Sequence, residues 1–355
     1  MDAEIIKKRI RTIRYSLKKK RLKSLLVTKP ANVTYLTGFL GDDSWVLITD
    51  RFVYLLTDSR YTEQAKNQCP ACNIIERNKP MVEAVADLLK KLKSVRAVAV
   101  EKSVSLAAFE MLKKFVKVRL KTVANMIESA RSIKDKSEVA AVSAASQIAA
   151  NALRQTFKYI KPGVTESELA GRLDFQIRKA GAINSFEIIV AFGPNASRPH
   201  HRPTPRKLRK NDTVLIDFGV RFDGYCCDIT RCFVVGSVNR FYKKVHDAVQ
   251  EAQTAALKMI KAGVAAKKVD AAAREVIRKS GLPVYGHGTG HGLGLEVHEQ
   301  PIISANSKTK LQPGMVFTIE PAVYIPGKLG IRIEDDVLVT ETGCKILTHK
   351  CPRRI

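Results

Sequence analysis

IDFGVRFDGYCCDITRC, residues 216–232, alternates apolar residues on both sides of a turn and carries two aspartates among them. Val214, Leu215, Ile216, Phe218, Val220 and Phe222 run up to Asp223-Gly224, a dipeptide that closes two-residue hairpins. The stretch therefore predicts two short antiparallel strands. Asp217 and Asp228 sit inside them, where aspartate is disfavoured. A two-residue loop pairs Phe222 with Tyr225 and, counting outward, Asp217 with Thr230. Asp228 shares the face of Thr230 and lies diagonal to Asp217. Two buried like charges at that spacing raise each other's proton affinity unless a cation stands between them. They either share a proton as a carboxylate dyad or bind metal.

The second part of the chain repeats itself. Ile160-Lys161-Pro162-Gly163-Val164 returns as Ile260-Lys261-Ala262-Gly263-Val264, and Ile177-Arg178-Lys179-Ala180-Gly181 as Ile277-Arg278-Lys279-Ser280-Gly281. KLRKNDTVLID (207–217) is echoed by KLQPGMVFTIE (310–320), so Asp217 falls on Glu320. Thr165 with Glu168 predicts a capping box opening a helix in the first copy. Two related halves are expected, each with two helices followed by strands. The second half supplies its own hairpin, VFTIEPAVY (316–324), PGKLG (326–330) and IRIEDDVLV (331–339), carrying Glu320 and Glu334. With pseudo-two-fold packing, an acidic hairpin from each half faces the other. Four carboxylates tip the balance from a shared proton to metal.

YGHGTGHGLGLEVHE (285–299) is glycine-rich but shows no phosphate-loop spacing, and His287 is not followed by the glutamate of a zinc-binding helix. Alone, His291 reads as a hydrogen-bonded core residue; beside four carboxylates it reads as the remaining ligand. One imidazole with four carboxylates is a hard, oxygen-rich set suited to Mn²⁺-like ions rather than structural zinc.

At 355 residues, with 45% hydrophobic and 27% charged residues, the chain is expected to form two domains of ordinary globular composition. MDAEIIKKRIRTIR has no apolar leader segment and no run reaches a membrane-spanning length, which predicts a soluble, unexported protein. Seven cysteines, two adjacent at Cys226-Cys227, do not resemble a disulfide framework, so the reducing cytoplasm is expected. Cys69-Pro70-Ala71-Cys72 lacks a second C-x-x-C and is read as structural.

There are 61 basic against 34 acidic residues, a net charge of +27, and ten of the seventeen residues from Lys7 to Lys23 are basic. Such a surface attracts polyanions. No aromatic–basic interleaving accompanies it, so nucleic acid is not an expected partner. Ile6, Ile10, Ile13 and Leu17 keep helical spacing, and the basic residues fill the solvent face.

The first ~125 residues alternate strand and helix patterns, an α/β domain. Strands are expected at Ser24–Thr28, Val46–Ile48, Val53–Leu56 and Ala97–Val100, and helices at Glu4–Lys20, Tyr61–Gln68, Met81–Lys93 and Leu106–Phe115. Arg131–Ser137 then leads into an alanine-rich helix from Glu138 to about Lys158.

Asp217 (IDFG), Asp228 (CDITR), His291 (GTGHGLG), Glu320 (TIEP) and Glu334 (RIEDD) resemble, in order and spacing, the five ligands of the pita-bread metallopeptidases. That family includes Xaa-Pro aminopeptidase, prolidase, methionine aminopeptidase and creatinase. NVTYLTGF (32–39) and TDSRYTEQA (57–65) are similar to the creatinase-type N-terminal domain, which methionine aminopeptidases lack. The resemblance implies an α/β N-terminal domain (1–127) and an α+β pita-bread catalytic domain (128–355) of two pseudo-symmetric halves. It also implies two divalent ions, Mn²⁺ first with Co²⁺ or Zn²⁺ as substitutes, and a homodimer.

By motif, His200 (RPHHRPT) matches the substrate-side histidine, with His201 as a surplus neighbour. His298 (LEVHE) matches the histidine lining the proline pocket, and His287 a further active-site histidine. Tyr324 and Arg332 fall where the family has residues bordering the metals. Phe192 (VAFGPN) departs from the smaller residue usual there and is expected to narrow the pocket entrance. The implied chemistry is attack by a metal-bridging hydroxide, with Glu320 as ligand and general base and His200, His287 and His298 as hydrogen-bonding or proton-relaying partners. The expected activity is release of the N-terminal residue from peptides with proline second, by an Xaa-Pro aminopeptidase. A prolidase sharing every ligand is the alternative. A non-catalytic binding module on the same fold is the rival from another class; a creatinase-like hydrolase is disfavoured by the intact ligands.

Overall fold

The computed structural model describes residues 3–353. The chain divides into two compact units, Met1–Arg131 and Ser132–Ile355.

In the first unit the strands are β1 (Leu25–Val27), β2 (Trp45–Ile48), β3 (Val53–Asp58), β4 (Asn73–Arg77), β5 (Ala97–Glu101) and β6 (Arg119–Val123). They form one sheet in the order β4-β3-β2-β1-β5-β6, antiparallel about β2 and parallel at both sides. Leu26, Leu47, Leu56, Val98 and Val100 from the central strands share a core with Val85 and Leu89. The helices are α1 (Ala3–Lys19), α2 (Pro30–Thr37), α3 (Thr62–Gln68), α4 (Met81–Lys91), α5 (Leu106–Phe115) and α6 (Met126–Arg131). Along α1, Ile6, Ile10, Ile13 and Leu17 are buried, as their spacing requires. β4, β6, α2 and α6 were not foreseen.

The second unit opens with α7 (Lys136–Thr156) and α8 (Glu166–Lys179), each started by a capping box, Asp135 with Glu138 and Thr165 with Glu168. Then come β7 (Ile183–Asn184), β8 (Ile189–Phe192) and the first acidic hairpin, in four pieces: β9 (Thr213–Phe218), β10 (Val220–Phe222), β11 (Tyr225–Cys226) and β12 (Ile229–Val234). Asp223 (φ 49°) and Gly224 (φ 83°) make the tight turn. The pairing Phe222–Tyr225 continues to Thr230–Asp217 without a change of register, as counted from the sequence. The strands nevertheless split between two sheets at Gly219. A Cβ there would lie 2.0 Å from Oγ of Ser185 and 2.2 Å from the carbonyl oxygen of Cys227, so only glycine lets the backbones approach.

The second half mirrors the first. α9 (Arg240–Met259) and α10 (Ala266–Lys279) precede β13 (Gly290–Gly292), β14 (Glu299–Ile303), β15 (Val316–Ile319), β16 (Ala322–Ile325), β17 (Leu329–Arg332), β18 (Asp335–Val339) and β19 (Cys344–Ile346). The symmetry reaches individual hydrogen bonds. Gly163 N donates to Leu208 O and Leu208 N to Val164 O; Gly263 N donates to Leu311 O and Leu311 N to Val264 O. Ile325–Leu329 and Ile319–Asp335 belong to one register, so Glu320 and Glu334 stand opposite each other where this hairpin also splits between sheets. Two apolar clusters underlie the unit, one mainly beneath each half.

Candidate metal centre

Both splits open onto one cavity of about 620 Å³, lined by Asp217, Asp228, His291, Glu320 and Glu334. Asp217, Asp228 and Glu334 are at most 7% exposed. Ligand atoms of Asp228, His291 and Glu334 lie within 4.8 Å of one another. His291 Nε2 is 3.6 Å from Asp228 Oδ2 and 3.6 Å from Glu320 Oε1. Asp217 is held by Arg332, whose Nη2 donates to Asp217 Oδ2. The same guanidinium donates through Nε to Thr230 Oγ1 (2.9 Å) and through Nη1 to the Tyr324 hydroxyl (2.6 Å). Thr230 in turn donates to Glu334 Oε2. Arg332, from the second half, thus holds Asp217 and its register partner Thr230 in the first.

These residues fit a cation. Oδ1 of Asp217 and Oδ1 of Asp228 are buried with no hydrogen-bond partner, a state that costs about 1–3 kcal/mol per group unless something satisfies it. Burial, then the neighbouring acids, pushes Asp228 and Glu334 well above the usual carboxylate range. Glu320 rises to about 7, mainly through burial. Burial lowers His291 to about 4, leaving it the neutral form that an imidazole must have to hold a metal ion. Its Nδ1 lies 3.2 Å from the Gly292 carbonyl, which assigns the proton to Nδ1 and leaves the Nε2 lone pair facing the acids.

The other histidines sit on three loops, His200 before β9, His287 before β13 and His298 between β13 and β14. His200 and His298 line the cavity, and His298 packs edge-on to His291 at 4.3 Å between ring centroids. His287 also lines it and is lowered to about 4, chiefly by burial. Its Nδ1 is 2.7 Å from the Gly288 carbonyl and its Nε2 3.2 Å from the Tyr324 hydroxyl. Tyr324 therefore reaches the centre through His287 and Arg332 and is not part of the lining. His201, read only as a surplus neighbour, is buried and meets Glu166 Oε2 at 2.8 Å. Phe192 corrects the expectation placed on it. Its side chain is fully buried in the first half's core, away from the cavity, while its amide donates to Glu166 at 2.8 Å. A residue on the sheet's inner face packs; it does not narrow an entrance.

Several contributors were not legible. Glu166 also accepts from Asn195 Nδ2 (2.8 Å), Thr204 N (3.0 Å) and the Thr204 hydroxyl, so one buried carboxylate ties down the loop bearing His200. In the other half, Asp270 Oδ1 accepts from Thr289 N (3.2 Å) and Oγ1 (2.7 Å), between His287 and His291. Asp336 Oδ2 accepts the Asp228 amide at 3.1 Å. Cys226 and Cys227 are buried packing residues. All seven cysteines are free thiols.

The fold and centre together define a metallopeptidase built on two pseudo-symmetric halves, with a creatinase-type domain earlier in the chain. Residues 140–341 match metallopeptidase family M24, and residues 9–133 match the creatinase/prolidase N-terminal domain. The chain belongs to family M24. It is 34% identical over 350 residues to an Xaa-Pro dipeptidase of Pyrococcus horikoshii, covering 97% of this chain and 98% of the relative. The structure of an Xaa-Pro dipeptidase from Bacillus anthracis superimposes with a TM-score of 0.93 at 34% identity, over 97% of this chain and 98% of that one. An X-Pro aminopeptidase from Thermotoga maritima gives a TM-score of 0.88 at 36% identity, over 95% and 100%. No helix among the described residues is long and apolar enough to cross a membrane.

Proposed function

We propose that the protein is a metal-dependent Xaa-Pro dipeptidase, hydrolysing the bond before the proline of a dipeptide. The observation that carries the peptidase reading is the group Asp228, His291 and Glu334, with orphaned oxygens of Asp217 and Asp228 beside it, in a cavity walled by three further histidines. The full-length relatives named as Xaa-Pro dipeptidases favour the dipeptide substrate over the aminopeptidase reading.

Asp217, Asp228, His291, Glu320 and Glu334 would hold two divalent ions, with Mn²⁺ favoured by the oxygen-rich donors. When bound, such ions supply a nucleophilic hydroxide near neutral pH and polarise the scissile carbonyl. Glu320, 3.6 Å from His291 Nε2, takes the proton of the attacking water. His298 and His200 hydrogen-bond the tetrahedral oxygen as charge develops on it. His287, with Tyr324 on its Nε2, helps deliver a proton to the departing proline nitrogen. In the substrate that nitrogen has no N–H. The site therefore selects ring shape, for which Phe186, Ile188, Ile189, Val297 and Ile302 offer an apolar wall.

Chelated protein reloaded with Mn²⁺ is tested on Xaa-Pro, Xaa-Pro-Yaa and Xaa-Ala substrates. Cleavage of Xaa-Pro well above the other two supports the dipeptidase. Preference for Xaa-Pro-Yaa supports the aminopeptidase, the reading favoured by the Thermotoga maritima relative. No hydrolysis of any of them by metal-loaded protein overturns both.

A further inference from the structure

The first unit holds a cavity of its own, about 410 Å³, lined by residues of that unit alone. Lys7, Arg11 and Arg14 border it from α1, at the i, i+4 and i+7 spacing that gathers side chains on one helix face. Ile6 and Ile10, from the buried stripe of the same helix, join Leu36 and Val53 as its apolar part. Arg51 and Phe52 border it from the turn between β2 and β3. Thr49 braces that turn, its amide donating to the Phe52 carbonyl and its hydroxyl accepting the Phe52 amide, both at 2.9 Å. Arg14 Nε donates to the Thr49 carbonyl at 2.8 Å, which pins α1 to the turn.

The cations here lack counter-charges. Lys7 pairs with Glu4 at 2.7 Å, but Arg11 and Arg51 have no partner among the described residues. Arg14 Nη2 is buried without an acceptor. Burial draws the Arg14 pKa below its ordinary value, and the charge of Asp50 opposes that shift. Three guanidinium groups around one cavity repel one another, and an oxyanion between them turns the repulsion into attraction. Phe52 is 52% exposed, with Tyr54 packed against its ring at 6.0 Å between centroids.

We propose that this cavity binds a nucleoside monophosphate, its phosphate held by Arg11, Arg14 and Arg51 and its base stacked on Phe52. A phosphate monoester carries a charge of about −1.5 to −2 near neutral pH. Its oxygens match the planar donor fork of a guanidinium. An exposed aromatic ring takes any base by its face, which gives a preference for nucleotides over bare phosphate. The volume lies toward the small end of small-molecule sites and suits one nucleotide rather than a strand. This assignment is independent of the peptidase reaction.

The test is isothermal titration calorimetry of full-length, Mn²⁺-loaded protein with AMP, adenosine and inorganic phosphate, at about 150 mM salt. AMP should bind at one site per chain, and adenosine and phosphate should each bind about tenfold or more weakly. Arg11→Ala and Arg51→Ala should each weaken AMP about tenfold, the loss of a charged hydrogen-bond donor. Arg11→Lys should keep part of the affinity. Phe52→Ala should weaken AMP about tenfold and leave phosphate binding unchanged. Metal content, melting temperature and peptide hydrolysis should stay at wild-type levels in each variant, which excludes a folding defect. No AMP binding, or an affinity that none of the substitutions changes, overturns the assignment. AMP that inhibits hydrolysis and still binds Arg11→Ala and Arg51→Ala at full strength sits at the metal centre, which also overturns it. Several weak equivalents per chain mean a diffuse basic surface and overturn it too. Phosphate binding as tightly as AMP defeats the nucleotide assignment.

Discussion

Glu166 and Asp270 do the same job in opposite halves of the catalytic unit, yet they do not correspond. Each is a buried carboxylate on the second helix of its half, and each ties a histidine-bearing loop to that helix. Glu166 sits at the first position of α8 and gathers Phe192, Asn195, His201 and Thr204 around the loop of His200. Asp270 lies further along α10 and holds Thr289, while its other oxygen accepts from Arg274 Nε at 2.8 Å. Arg274 extends the grip by donating to the carbonyls of Tyr285 and His287. Under the repeat's own alignment Glu166 falls on Ala266, and Asp270 on Ala170. The halves share the device and differ in where on the helix it is mounted. Symmetric packing constrains the backbone ladder closely; a loop needs only that some buried acceptor lies within reach.

The largest test of this comparison asks whether the halves are equal at the centre. Asp228→Asn from the first hairpin and Glu334→Gln from the second should each lower kcat/KM on the order of 10³-fold, as loss of several kcal/mol of metal-based stabilisation requires. Metal analysis alongside kinetics checks it. A full loss from one half with near-normal activity from the other would break the shared-site picture. Next in size, His298→Ala should lower kcat/KM roughly 10²-fold with metal content unchanged, the loss of a hydrogen-bonding partner of the intermediate. Lowered melting temperature with intact kinetics would reduce His298 to a packing residue.

Glu166 and Asp270 should then separate. Asp270→Asn loosens Thr289, which leads into the strand bearing His291, and should weaken metal affinity by about 10–100-fold. Glu166→Gln loosens the loop of His200 and should lower kcat about tenfold while metal affinity holds. Metal titration against kinetics distinguishes them; matching profiles would mean the two carboxylates act only through global stability.

The smallest effect concerns pH. Glu320 is raised from its ordinary 4.5 to about 7 in the metal-free protein. A raised folded-state value gives stability that is present below the unfolded value and lost as pH rises through about 7. Binding of a cation removes that penalty. Stabilisation by Mn²⁺ should therefore be larger at pH 7.5 than at pH 5.5, seen as a wider gap between melting temperatures. A gap that narrows with rising pH would contradict the burial assigned to Glu320.

Much of this was readable in advance because a hairpin is a counting device. Once Asp223-Gly224 is taken as a two-residue turn, the partner of Asp217 follows, and the structure pairs it with Thr230 as counted. The elements that escaped have physical reasons. β4 and β6 are the two edges of the first unit's sheet. NIIER and RLKTV carry the charges that edge strands tolerate, so they lack a buried strand's pattern. α2 starts at Pro30 without a side-chain cap and runs only eight residues. Glu166 and Asp270 escaped because the repeat alignment sets each against an alanine. Phe192 departs from its expectation because Ile189 of the same strand borders the cavity, whereas strand alternation turns Phe192, three residues on, to the other face.

Each hairpin keeps one register through its split, and this makes its turn a ruler for the metal site. The first turn is the two residues Asp223-Gly224; the second is the three residues 326–328, with Gly327 at φ 70°. Neither turn lines the cavity. A single residue inserted in a turn and taken up by sliding the strands would offset one strand by a residue. A one-residue slip carries every side chain of that strand to the opposite face. Asp228 or Glu334 would then point away from the centre with no carboxylate or imidazole replaced. The length of two solvent-side turns, rather than their chemistry, keeps carboxylates from two halves of the chain converging on the same point.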